Sequence, residues 1–375
     1  MAWKKRILKG LLTVFLFVIA LGTAGAQDVM PESEEVPPAE YYKARVLAVT
    51  DKGHQKIGPR MTIEKQKVKV EVTSGQFAGQ ILEIEHSKGT SPAFDIDVKP
   101  GDEVLLLAEI QDNQITQAYI DSYARDRHLI YLAITFLVVL VVLGKFKGFK
   151  AVITLIFTLL ALVKVMLPLM LKGYNPLILA VLISAAVSTF SLVVIAGANR
   201  KTLSAIIGTT GGVLVAGILA YGFGTVARLN GFGGEETAML MYIPQGTNFN
   251  FRGLLFAGII ISALGAVMDV GMSVASAMEE IKRANPAISA LALMRSGMNV
   301  GRDVMGTMSN TLILVYIGEA LPLLLLFMAY NTPLVRIVNL ELIATEIVRA
   351  LAGSIGLLLA IPISAVTGGY LLSRK

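Results

Sequence analysis

Cysteine is absent from the 375 residues, tryptophan occurs once and histidine only three times. Without cysteine there is no disulfide framework, no thiolate metal site and no cysteine to carry a lipid behind a signal segment. The histidines, His54, His86 and His128, are widely spaced, and no Ser/His, His/Glu or paired-carboxylate constellation accompanies them, so neither an enzyme nor a metal or cofactor site is expected. His86, close to Glu83 and Glu85, reads as a surface feature of a strand. Charge is scarce as well: 16% of residues are charged and 54% hydrophobic, against about a quarter charged in a water-soluble domain. The formal charge of +6 does not indicate nucleic acid, because the basic residues sit mainly in short loops between apolar runs, where membrane orientation accounts for them.

What is present divides the chain between two solvents. Residues 28–127 are ordinary in composition, whereas 129–372 hold long apolar runs. Lys4, Lys5, Arg6 and Lys9 precede an apolar stretch from Leu11 to Leu21 and then Ala24-Gly25-Ala26, the layout of a signal peptide cut before Gln27. An uncleaved anchor helix is the alternative, and either delivers the following residues across the membrane. The acidic, proline-rich segment 27–40 offers no apolar face and reads as an extended spacer. From Tyr41 to Arg127, five short segments alternate apolar and polar residues between turns such as Lys99-Pro100-Gly101-Asp102. They predict a small extracytoplasmic β-barrel of OB type, read as a docking or regulatory domain because few aromatics are available for stacking.

Residues 128–375 are expected to form an α-helical membrane bundle of seven transmembrane spans, at 129–144, 150–171, 176–197, 203–224, 253–277, 305–329 and 347–371. Placing residue 128 outside puts Lys145, Lys147, Lys150, Arg200, Lys201, Lys282, Arg283, Arg295, Arg302, Arg374 and Lys375 inside. That excess of basic residues in cytoplasmic loops gives a cytoplasmic C-terminus. Between the fifth and sixth spans, Ile288, Leu291, Leu293 and Met294 alternate with Arg295 and Arg302, predicting a short helix lying on the cytoplasmic interface.

The polar residues inside the bundle are few and periodic. Ser204, Gly208, Gly212, Ala216, Ala220 and Gly224 recur every fourth residue, a nearly bare helix face suited to close packing. In the fifth span Gly258, Ser262, Gly265, Asp269, Ser273, Ser276 and Glu280 share one face, expected to look toward neighbouring helices. Holding Asp269 in hydrocarbon costs about 2.5 to 3.5 kcal/mol, so it is neutral and hydrogen-bonded between helices, or else a proton- or cation-binding group on a transport path. Asp303, Thr307, Asn310 and Thr311 align on the sixth span in the same half of the membrane and are candidate neighbours of Asp269. Lys164 and Glu319 stand at matching depths, about 21 Å from Lys150 and about 22 Å from Val304, and either pair or reach separately for the interface.

The segments FRGLLFAGIIISALGAVMDVGMSVASAMEEI, RSGMNVGRDVMGTMSNTLILVYIGEALPLLLL and EIVRALAGSIGLLLAIPISA resemble the YibE/F-like membrane proteins of bacteria, with the likeness strongest from Arg252 to Thr367. The resemblance implies a cytoplasmic-membrane location, an extracytoplasmic N-terminal domain and a transporter label without a substrate. The arrangement of the last three spans is also similar to the core of SecD/SecF and RND-type permeases. By that likeness Asp269 is the coupling acid, Thr307, Asn310 and Thr311 are its neighbours, and a homodimer or a partner membrane protein is required, because only one half-bundle is present. The expected function is a permease or a component of an export system, coupled to protons or ions. The rival is a non-transporting scaffold that anchors the β domain.

Overall fold

The computed structural model describes residues 39–56, 62–88, 95–242 and 250–373. The signal segment, its cleavage point and the spacer up to residue 38 lie outside the described residues. The described residues divide into two compact units on either side of residues 139 and 140.

Strands β1 (Ala39–Lys56), β2 (Thr62–Val72), β3 (Ile81–Lys88), β4 (Glu103–Gln111) and β5 (Gln114–Tyr123) form one antiparallel sheet in the order β3-β2-β1-β4-β5. β3 and β5 also come alongside each other, so the sheet is a nearly closed barrel. β1 starts two residues before the predicted boundary. Strand alternation puts Ala44, Val46, Val68, Val70, Val72, Ile84, Val104, Leu106 and Ala108 into the core. Register breaks between Val46 and Ala48 and between Asp51 and Gly53 bend the long β1, which lets it pair with β4 at one end and β2 along the rest. Asp112 and Asn113, both at positive φ, make the two-residue turn joining β4 to β5. His86 is buried rather than on the surface, its Nε2 lying 2.9 Å from the Ile96 carbonyl oxygen, so it tethers the segment ahead of β4. Lys43 pairs with Asp126, and Arg127 lies 3.4 Å from Glu103, tying the barrel to the start of the first described helix.

That helix, α1 (Asp126–Leu160), is interrupted at Lys145, where φ is 49° and ψ is −130°. The chain doubles back there: a Cβ on Gly148 would strike the Leu140 carbonyl, eight residues earlier, which a straight helix holds about 12 Å away. A π-helical turn, Ala161–Met166, then leads into α2 (Leu167–Leu171). Pro168 has no N–H to give the Lys164 carbonyl, and Leu167 bonds back five residues to Leu162. Next come α3 (Pro176–Ala196) and α4 (Arg200–Val226), capped by Asn175 and Asn199. The short α5 (Glu235–Met239) precedes α6 (Phe251–Ala284), α7 (Ala290–Glu319), α8 (Leu321–Ala329), α9 (Leu334–Asn339) and α10 (Glu341–Ser373).

Among the described residues five helical segments are long and apolar enough to cross a membrane, and α7 with α8 makes a sixth, bent by 59°. The bend falls at Ala320, ahead of Pro322, inside the stretch predicted as one span. The predicted interfacial helix is not separate, since α7 runs unbroken from Ala290. Part of its apolar side packs on protein, since Leu293 is fully buried, Gly297 meets Met278 and Ala365, and Gly301 meets Ile361, while Leu291 stays exposed.

The bundle is organised around α4 and α10, which cross at backbone distance. A Cβ on Gly212 would sit 2.6 Å from the Gly356 carbonyl oxygen, and one on Gly356 would sit 2.6 Å from that of Gly212. Gly208 faces Ser364 and Ala360, and Ser204 donates a 2.8 Å hydrogen bond to the Ser364 carbonyl. α6 lies against both helices, α7 against α6 and α10, and α3 against α4 and α6. By contrast, among the described residues Gly265 has nothing within 4 Å of its Cβ direction and packs no helix. Substituting Gly212 or Gly356 by Val is therefore expected to destabilise the detergent-purified chain by about 1–3 kcal/mol or more, while Gly265→Ala leaves its melting temperature unchanged or raised, as a thermal melt would show.

Candidate functional site

α6 is apolar over most of its circumference and has one small, polar face. Phe256, Ile260, Ala263, Val267, Val270, Val274 and Met278 turn into the bundle and are buried. The face of Gly258, Ser262, Gly265, Asp269, Ser273 and Glu280 is exposed on the single chain, the reverse of the inward orientation expected from sequence. The cause lies on the other side of the helix, where a near-continuous β-branched and aromatic surface fits the groove between α4 and α10 and buries more apolar area. Among the described residues the Asp269 carboxylate makes no hydrogen bond or ion pair. Ser262 alone in this row is reached from a neighbour, Tyr316 Oη of α7 donating to it at 3.1 Å.

α7 repeats the pattern. Leu312 and Tyr316 are buried, while Asp303, Thr307, Asn310 and Thr311 are exposed, opposite the side packed on the bundle. Thr307 and Thr311 direct their hydroxyls to carbonyls of their own helix, Val304 and Thr307, each at 2.9 Å. They make no contact with Asp269. Asp269 with Ser273, and Asp303 with Thr307, Asn310 and Thr311, thus form two outward polar rows on adjacent helices.

Lys164 and Glu319 do not pair. Lys164 lies exposed in the π-helical turn, which packs on α3, and Glu319 is exposed at the end of α7, where Glu346 of α10 is the charge acting with it. Two ion pairs do link groups partly withdrawn from solvent. Lys201 Nζ meets Glu279 at 2.6 Å between α4 and α6, and Arg349 Nη1 meets Glu346 Oε1 at 3.0 Å along α10. The second was visible as an i, i+3 pair; the first joins residues 78 apart in sequence and has no local signal.

Residues 132–374 match the family described as YibE/F-like protein, and residues 40–123 match the YibE/F family N-terminal domain. The chain belongs to the YibE/F family. No curated protein and no solved structure matches it. The two matched segments of this YibE/F chain coincide with the barrel and with the apolar helices, and together these make it a membrane protein.

The difference in partnering has a measurable consequence. Glu279→Gln leaves Lys201 partly buried without its counter-charge and is expected to cost about 1–3 kcal/mol, whereas Asp269→Asn removes an unpaired charge and should leave thermal stability in detergent unchanged or improved.

Proposed function

We propose that the chain is the membrane subunit of a transport or export system, coupled to proton or ion movement at Asp269 and assembled as a homodimer or with a partner membrane protein. The observation that carries this reading is the unpaired carboxylate of Asp269 in the middle of an apolar helix, on an exposed row of serines and glycines. In hydrocarbon such a face is costly, by about 2.5 to 3.5 kcal/mol for the carboxylate on insertion scales. The cost is removed when the face lines water or meets another polar protein surface, and the second polar row on α7 makes the exposed area broad enough for such a seam. The small residues favour close approach of another helix.

The proposed topology has seven spans. The doubling-back at Lys145 supports counting the apolar stretches on either side of it separately, and the bent α7–α8 pair then supplies the sixth in sequence order. Basic residues between spans favour an extracytoplasmic N-terminal domain and a cytoplasmic C-terminus in the bacterial plasma membrane. The cyclic strand order, with β3 beside β5, favours an OB-type barrel for that domain.

The outward direction of Asp269 also favours one rival, an anchoring scaffold whose polar faces serve assembly alone. Because the chain has no cysteine, a single Ser273→Cys can be crosslinked without background. In membranes it should give a covalent dimer or a discrete larger adduct, and Asp269→Asn should abolish ion-dependent activity in cells while the protein still inserts and crosslinks. A chain that stays monomeric in the bilayer, or an Asp269→Asn variant with full activity, sinks the transport reading and leaves the scaffold.

A further inference from the structure

Where α10 begins, its first turns face the glycine-rich connection between α4 and α5 across a cavity of about 280 Å³ bordered by Gly231, Gly233, Gly258, Thr345, Glu346 and Arg349. The connection is held in place from α10, since Glu341 accepts hydrogen bonds from the backbone N–H groups of Asn230 and Gly231 at 2.9 and 3.0 Å. Two of the walls carry no side chain: Gly258 has open space in its Cβ direction, and a Cβ on Gly233 would stand 3.7 Å from Thr345 Oγ1. Thr345 is 4% exposed, and its hydroxyl has no hydrogen-bond partner among the described residues. Glu346 and Arg349 satisfy one another through Oε1 and Nη1, but Glu346 Oε2 and Arg349 Nε are buried and unpartnered as well.

Buried polar groups without partners are rare in folded proteins and costly. Here the three residues that carry these atoms, Thr345, Glu346 and Arg349, border the same cleft, and the ion pair leaves that cleft with no net charge. An ion entering it would be uncompensated, whereas a ligand bearing both a cation and an anion meets Glu346 with its positive end and Arg349 with its negative end. The volume lies at the low end for ligand pockets and admits only a small molecule. We infer that this cleft binds a small zwitterion of the amino-acid or betaine class, with Thr345 donating or accepting a hydrogen bond at the bound molecule. The inference does not depend on transport, because binding here is an equilibrium property of the chain and an anchoring protein could carry it equally.

The test uses the full chain purified in detergent and titrated with individual amino acids and with glycine betaine. Potassium acetate, methylammonium chloride and glycerol serve as controls, and the readouts are thermal shift and calorimetry. At least one zwitterion should raise the melting temperature of the wild type, the controls should not, and Thr345→Val should bind about tenfold more weakly, the worth of one hydrogen bond. Unliganded Thr345→Val should melt no lower than wild type, because it loses an unsatisfied hydroxyl. Should that variant fold poorly, Gly233→Leu fills the cleft from the loop side and should abolish the shift, while Thr345→Ser should retain it. Asp269→Asn should bind like wild type whatever happens to activity. The inference is overturned if no zwitterion stabilises the wild type, if acetate or glycerol does so equally, or if both cleft variants bind unchanged.

Discussion

The membrane bundle depends on two helices meeting with almost nothing between their backbones. In lipid there is little hydrophobic drive to press helices together, so packing has to come from dispersion contacts over a closely matched surface. α4 and α10 supply it with Gly208, Gly212 and Ala216 against Gly356, Ala360 and Ser364. The groove they leave takes the apolar face of α6, which in turn determines that the other face of α6, carrying Asp269, points away. The exposed carboxylate is therefore a geometric consequence of how the bundle closes rather than an isolated oddity of one helix.

Much of this was readable from residue order. Five segments of period-two alternation gave five strands, because each strand of the barrel keeps one face in a small core and one in water. The four-residue ladder of small residues pointed to a helix approached closely by another. Periodicity, however, says which residues share a face without saying which face turns inward. On α6 the polar row looked like the functional interior, yet Phe256, Ile260 and Val267 competed for the same groove and won it by volume. The interfacial helix was misread for a related reason: Leu293 and Met294 are amphipathic in sequence, and only Gly297, Gly301 and Gly369 on facing surfaces reveal that they pack on protein. Lys201 with Glu279, and the glycine-rich connection that faces Thr345, belong to long-range juxtapositions that no local pattern encodes.

The charged groups of the bundle fall into two regimes with different chemistry. Lys201 with Glu279 and Arg349 with Glu346 are neutralised pairs, holding helices or organising a cleft. Asp269 and Asp303 are single carboxylates on exposed rows beside hydroxyls and an amide. The first kind carries its own counter-charge, whereas the second meets whatever surface or solvent covers it.

The π-helical turn at Ala161–Met166 sets the rotational phase of everything after it. Thr154, Phe157 and Ala161 fall on one line of a regular helix, but at about 100° per residue Met166 and Met170 would lie about 150–170° away from that line. Both are nevertheless buried, because the wider turn absorbs an extra residue and rotates the following segment back onto α3. A one-residue deletion there would turn both methionines away from α3, a lesion of timing that no hydropathy profile would register.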